Sequence, residues 1–191
     1  MRLIICLFLF VCPLMAQEKA ASGDHAGSTD KVHPYFPDTP LRNQNGEELK
    51  LYTDLLKGKI VVINSFFTSC EGVCPVMTSN LVKVQEWVGD RMGKEVFFLS
   101  LSSDPEVDTQ QKLKAYAERF KAKPGWHFLS GPRKNVDEAA HKLGMYTEVR
   151  EAHSNVIIMG NERTGLWKKV FALGPLDDLI KSLESVLNDK G

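Results

Sequence analysis

"KIVVINSFFTSCEGVCPVMT", residues 59–78, is the stretch on which the fold turns. Its first half is a nearly continuous apolar run bounded by Gly58 and a cysteine loop, as expected for a central strand buried on both faces. From Pro75 onward the period changes: Met77, Leu81, Val84 and Val88 recur at helical spacing, and Gly89 offers a stop. Cys70 and Cys74 therefore fall where a buried strand runs into a helix, with Cys74 at the helix entrance. Pro75 suits the first helical position, where no backbone hydrogen bond is lost. A helix N-terminus offers free N–H groups and the positive end of the dipole, which lower a nearby cysteine pKa and favour thiolate. Thiolate attacks disulfides and also binds soft metals, so local sequence alone leaves both roles open.

Outward from this stretch, "LRNQNGEELKLY" (41–52) carries Asn45-Gly46, the best hairpin turn signal in the chain. "EVFFLSLS" (95–102) reads as a second buried strand, and "DPEVDTQQKLKAYAERF" (104–120) as a helix with Asp104 as its cap. Residues 126–130 read as a short strand, and 132–144 as a third helix ending at Gly144. "NVIIM" (155–159) and "LWKKVFA" (166–172) flank "GNERTG" as a further hairpin. Leu176, Leu179, Ile180, Leu183, Val186 and Leu187 then mark the most regular amphipathic helix. This order describes an α/β domain with a central mixed sheet flanked by helices, an N-terminal hairpin and a hairpin inserted before the last helix. A thioredoxin-like fold fits that order without being singled out by it.

Met1 and Arg2, the apolar run Leu3–Met15 and the polar residues after Ala16 have the form of a secretory signal peptide, expected over 1–16. The run is shorter than the roughly 20 residues needed to span a bilayer and contains Pro13. Residues 17–34 are polar, rich in Ala, Ser and Gly, and read as a flexible tether in which His25 and His33 are solvated. One domain, 35–191, is expected to follow. The 24 basic and 24 acidic side chains balance, which gives no support for nucleic-acid binding. Removing the leader would remove Cys6 and Cys12. In an oxidising compartment, one short-range cysteine pair is a poor structural framework, and a chemical role becomes the better reading.

Dithiol oxidoreductases usually carry two residues between their cysteines, whereas Glu71, Gly72 and Val73 are three. The longer loop can close a disulfide or let both sulfurs converge on one ion. His153, immediately before a predicted strand, is the best placed of the histidines to join them, although an isolated histidine is more often a surface or core residue. His127 is expected to point outward from its strand and His141 to lie on a solvated helix face, with Met77 in the helical core stripe.

"NSFFTSCEGVCPVMT", "LSSDPEVDTQQKLKAYAERF" and "HSNVIIM", in that order and spacing, resemble the signatures of the SCO/SenC family of copper-binding assembly proteins over roughly residues 35–188. The resemblance implies a thioredoxin-like fold and copper, as Cu(I) and also Cu(II), held by Cys70, Cys74 and His153. It further implies delivery to the binuclear copper site of cytochrome c oxidase, with subunit II as recipient and other periplasmic copper chaperones as further partners. Asp104 and Asp108 match the family. Ala152 stands where an acidic residue often precedes the histidine, and Ser69 where an aromatic is common. The expected protein is an exported monomer, in the periplasm or at the outer face of the cytoplasmic membrane, with Cys70 and Cys74 also serving as a redox pair. Two other readings compete: a thiol–disulfide oxidoreductase or peroxide-reducing protein with no obligatory copper, and a small secreted domain with a structural disulfide.

Overall fold

A computed structural model describes residues 35–148 and 155–191, which belong to one compact unit, Pro34–Gly191. The predicted first hairpin forms from β1 (Pro40–Arg42) and β2 (Glu48–Lys50), paired antiparallel. Gly46 makes the turn at φ 83°, a left-handed value that glycine adopts at little cost. The second strand is short. At Leu51 the chain leaves it for a single wide helical turn, Leu51–Leu56, which buries Leu51, Leu55 and Leu56.

The main sheet comprises β3 (Ile60–Phe66), β4 (Val96–Ser102), β5 (Trp126–Leu129), β6 (Val156–Asn161) and β7 (Leu166–Phe171), in the order β5-β4-β3-β6-β7. β3, β4 and β5 run parallel, while β6 is antiparallel to β3 and β7 to β6, so the sheet is mixed as expected. Every residue of β3 is buried, which is why its sequence shows no alternation. One apolar layer joins Val62 and Phe66 to α1 (Val73–Val88), α2 (Gln110–Arg119) and α4 (Leu176–Leu187). The opposite layer joins Val61 and Ile63 to the N-terminal hairpin region and α3 (Arg133–Leu143). Gly160 permits a close approach across the β6–β7 hairpin, because a Cβ there would lie 2.1 Å from the Trp167 ring.

Two boundaries differ from the sequence reading. α1 begins at Val73, so Pro75 occupies its third position; the N–H groups of the whole first turn lack helical partners, and proline costs nothing there either. α2 begins at Gln110, six residues after the predicted Asp104 cap. The Thr109 side chain caps it by accepting from the Lys112 N–H, and residues 104–108 form a tight turn in which the Asp104 carbonyl accepts from Val107 and Asp108.

Candidate functional site

β3 delivers the chain into the cysteine loop at the same end of the sheet at which β6 begins, a consequence of their antiparallel pairing. Cys70 follows β3 by four residues and is half-buried, whereas Cys74 lies in the first turn of α1 and is fully buried. Neither is joined in a disulfide. The Cys74 N–H, one of the donors that a helix start leaves over, points at the Cys70 sulfur at 3.4 Å. Cys70 thus plays the part that an oxygen-bearing cap usually plays, and the two residues are held together by the helix start.

The lowering of a cysteine pKa expected at the helix entrance does not hold for Cys74. Burial, then its hydrogen bond with the Cys70 side chain, pushes the Cys74 thiol up to about 12. Withdrawal of water disfavours the charged form here more than the helix end favours it. The two cysteines are chemically unequal: an accessible sulfur at position 70 and a buried protonated one at 74.

Two groups not among the expected copper ligands hold this loop. Asp108 is buried, and its Oδ1 accepts from the Thr68 N–H at 3.0 Å and the Thr68 hydroxyl at 2.5 Å. Its Oδ2 accepts from Ser102 Oγ at 2.6 Å, tying the loop to the end of β4. On the helix side, Thr78 Oγ1 donates to the Cys74 carbonyl at 2.8 Å and lies 3.0 Å from the Tyr116 hydroxyl of α2. The sequence signal for the first was "DPEVDT" read as a helix start, which hid a side chain turned back to the loop. The signal for the second was Thr78 four residues after Cys74, where a hydroxyl can reach back one helical turn.

Met77 is fully buried in the core stripe. His141 is exposed and stacks on Tyr146 with ring centroids 3.8 Å apart. His127 does not point into solvent: it is half-buried, its Nδ1 lies 3.4 Å from Asn43 Nδ2 of the N-terminal hairpin, and burial lowers its pKa. His25, His33 and His153 lie outside the described residues, and among the described residues no group of three metal-binding side chains converges. His153 stands two positions before Asn155, whose carbonyl accepts from Ala172 at the mouth of β6.

The SCO1/SenC family model matches residues 28–185. This chain belongs to the SCO1/SenC family. The SCO1 protein homolog of Bacillus subtilis is 29% identical over 138 residues, which cover 71% of this chain and 65% of that protein. The chain thus spans between about half and two thirds of the length of the curated SCO relatives it matches. Among solved structures, the Sco-family cytochrome c oxidase assembly protein BsSco, described as having a disulfide switch, is 26% identical. It superposes with a TM-score of 0.65, covering 81% of this chain and 95% of that one. ScoI of Bradyrhizobium japonicum, solved with copper bound, superposes with a TM-score of 0.63 over 78% of this chain and 96% of that one; at 22% identity it bears on the fold alone. The SCO fold of these neighbours is the thioredoxin-like one expected from the sequence.

Proposed function

We propose that this SCO/SenC chain is an exported copper chaperone that binds its cargo through Cys70 and Cys74 and hands it to the binuclear copper site of cytochrome c oxidase subunit II or a similar exported copper protein. The observation that carries the reading is the pair of reduced cysteines held together at the start of α1 in a chain of this family. Two thiolates and one imidazole make a soft, low-coordinate donor set suited to Cu(I), whereas zinc normally asks for a fourth ligand. His153 is the third donor in this proposal. Its support is the family resemblance, together with the opening of β6 at the sheet end that carries the cysteine loop. Three donors leave one side open for transfer. Residues 1–16 act as the export leader and 17–34 as the tether, which places the domain in the periplasm or at the outer face of the cytoplasmic membrane.

The test is a Cu(I) titration of reduced protein against a competing chelator, in parallel with Cys70→Ala, Cys74→Ala and His153→Ala. One tightly held copper per chain, weakened in each variant, supports the proposal; copper binding indifferent to all three substitutions defeats it. The contrast between a half-buried Cys70 and a buried Cys74 also favours a coupled redox role, with Cys70 as attacking thiol and Cys74 as resolving thiol. In that role the pair would reduce a disulfide in the recipient before copper arrives, becoming oxidised to Cys70–Cys74 as the recipient gains two electrons and two protons.

A further inference from the structure

Beside the cysteine loop lies a hollow of about 360 Å³, lined by Thr68, Ser69, Lys112, Ala115, Tyr116 and Arg119. Ala115 and Tyr116 give it an apolar wall, and Lys112 and Arg119 stand at its two ends, both exposed. Seven residues along one helix amount to two turns, so the two cations share a face about 10 Å apart. Among the described residues neither makes an ion pair, while Arg42 and Arg133 do. The other charged residues of α2 are directed elsewhere, Lys114 and Glu118 lining a separate hollow beneath the N-terminal hairpin. Glu71, the acidic residue of the loop itself, follows Cys70 in the chain and is not among the residues lining the hollow.

Two observations tie this hollow to the thiols. Ser69 is the residue before Cys70. The hydroxyl of Tyr116, in the wall, meets Thr78, which donates to the Cys74 carbonyl. A segment seated here would lie against α2 with its neighbouring residues over Cys70.

We propose that this hollow docks the recipient protein through an acidic segment next to the recipient's own cysteine, with carboxylates meeting Lys112 and Arg119. The proposal rests on Cys70 and Cys74 being the groups that meet the recipient. Opposite charge at the two ends fixes the register of the segment, and steering by the pair raises the rate of productive encounter. In the exchange step the Cys70 thiolate attacks the partner sulfur. A Cys70–partner disulfide forms as the partner's original S–S bond breaks, and the leaving sulfur departs with the electron pair.

The test uses the reduced full chain and two short peptides, each with one cysteine activated as a 2-thiopyridyl disulfide, flanked by glutamates in one and by lysines in the other. Release of pyridine-2-thione reports attack by Cys70. The expected result is a rate about tenfold higher for the glutamate peptide, with the ratio shrinking as salt is added. Lys112→Glu/Arg119→Glu should reverse the preference, and Lys112→Gln/Arg119→Gln should bring the ratio near one. Lys142→Glu/Lys181→Glu, with cations changed elsewhere, should leave the ratio in place. A wild-type ratio near one, or a preference unmoved by Lys112→Glu/Arg119→Glu, overturns the proposal. A Cu(I) titration of the same variants separates the two readings: the docking proposal requires copper binding to match wild type while peptide preference reverses. Failure of the wild type to bind copper defeats the chaperone reading and leaves the peptide ratio fully interpretable.

Discussion

Removing the Asp108 carboxylate should loosen the cysteine loop and lower stability together. Asp108→Ala deletes three hydrogen bonds: from the Thr68 N–H, the Thr68 hydroxyl and the Ser102 hydroxyl. Hydrogen bonds to a charged group contribute about 1.5–3 kcal/mol each, but the three share one acceptor and water can enter the space left, so a loss of about 3–5 kcal/mol is expected. For a domain of this size each kcal/mol lowers Tm by about 2–4 °C, which puts the shift near 10 °C. Asp108→Asn keeps an oxygen for Thr68 and offers an amide to Ser102, so its cost should be about 1 kcal/mol. Differential scanning calorimetry of the reduced protein measures both. A second readout follows from the loop's role: with Thr68 released, the Cys70 sulfur is less well placed, and Cu(I) affinity should fall about tenfold in the alanine variant, as supporting partners of metal ligands commonly contribute. If Asp108→Ala melts with the wild type, or if asparagine and alanine are equally costly, the carboxylate is not what anchors the loop.

Other outcomes follow from the same geometry. Alkylation of the reduced protein near neutral pH should label Cys70 at least tenfold faster than Cys74, since the latter is buried and its pKa stands at about 12; peptide mapping by mass spectrometry that found Cys74 labelled first would contradict this. His127 has its pKa lowered by burial, so the folded state prefers the neutral ring and the unfolded state takes up the proton first. Its contribution to stability is therefore complete above about 6.5 and is lost as pH falls from there through the lower folded-state value. A His127→Gln variant should flatten that part of the Tm–pH curve, and an unchanged slope would assign it to other groups. Gly160→Ala should destabilise by about 2–4 kcal/mol, because the added methyl meets the Trp167 ring at 2.1 Å, and Trp167→Ala in the same chain should recover part of the loss in thermal melts.

The sheet was legible because its strands obey composition. β3 and β4 are buried along almost their whole length, so their apolar runs announce them, and the β6–β7 hairpin is marked by the polar turn between two strand-forming stretches. The start of α2 was misread because "DPEVDT" satisfies the local rules for a helix entrance twice, first at Asp104 and again at Thr109. Local propensity cannot choose between them. The choice is made by Asp108, whose carboxylate reaches a loop 40 residues earlier in the chain, and a helix starting at Asp104 would turn it away. His127 was misread for a related reason. Alternation along β5 assigns it to the face opposite Trp126 and Phe128, but only the tertiary structure shows that the N-terminal hairpin covers that face.

The cysteine pair exposes a competition that sequence spacing cannot decide. A helix N-terminus contributes partial positive charge worth about 0.3–1 kcal/mol to a nearby anion, whereas one unit of pKa corresponds to about 1.4 kcal/mol. Burial of a thiol at the base of α1 therefore outweighs the dipole readily, and Cys74 stays protonated while metal-free. Binding a soft cation reverses the balance, because the sulfur then loses its proton to a charge that lies within bonding distance. On the copper reading, uptake must release the Cys74 proton at neutral pH, and affinity should rise with pH across the range in which Cys74 alone would remain a thiol. The same burial that keeps Cys74 inert toward oxidants and alkylating agents makes its ionisation conditional on the arrival of metal, or on Cys70 having first formed a disulfide with a partner. A titration in weakly buffered solution, with released protons counted against Cu(I) added for the wild type and for Cys74→Ser, would show the coupling directly; a wild type that releases no more protons per copper than Cys74→Ser would refute it.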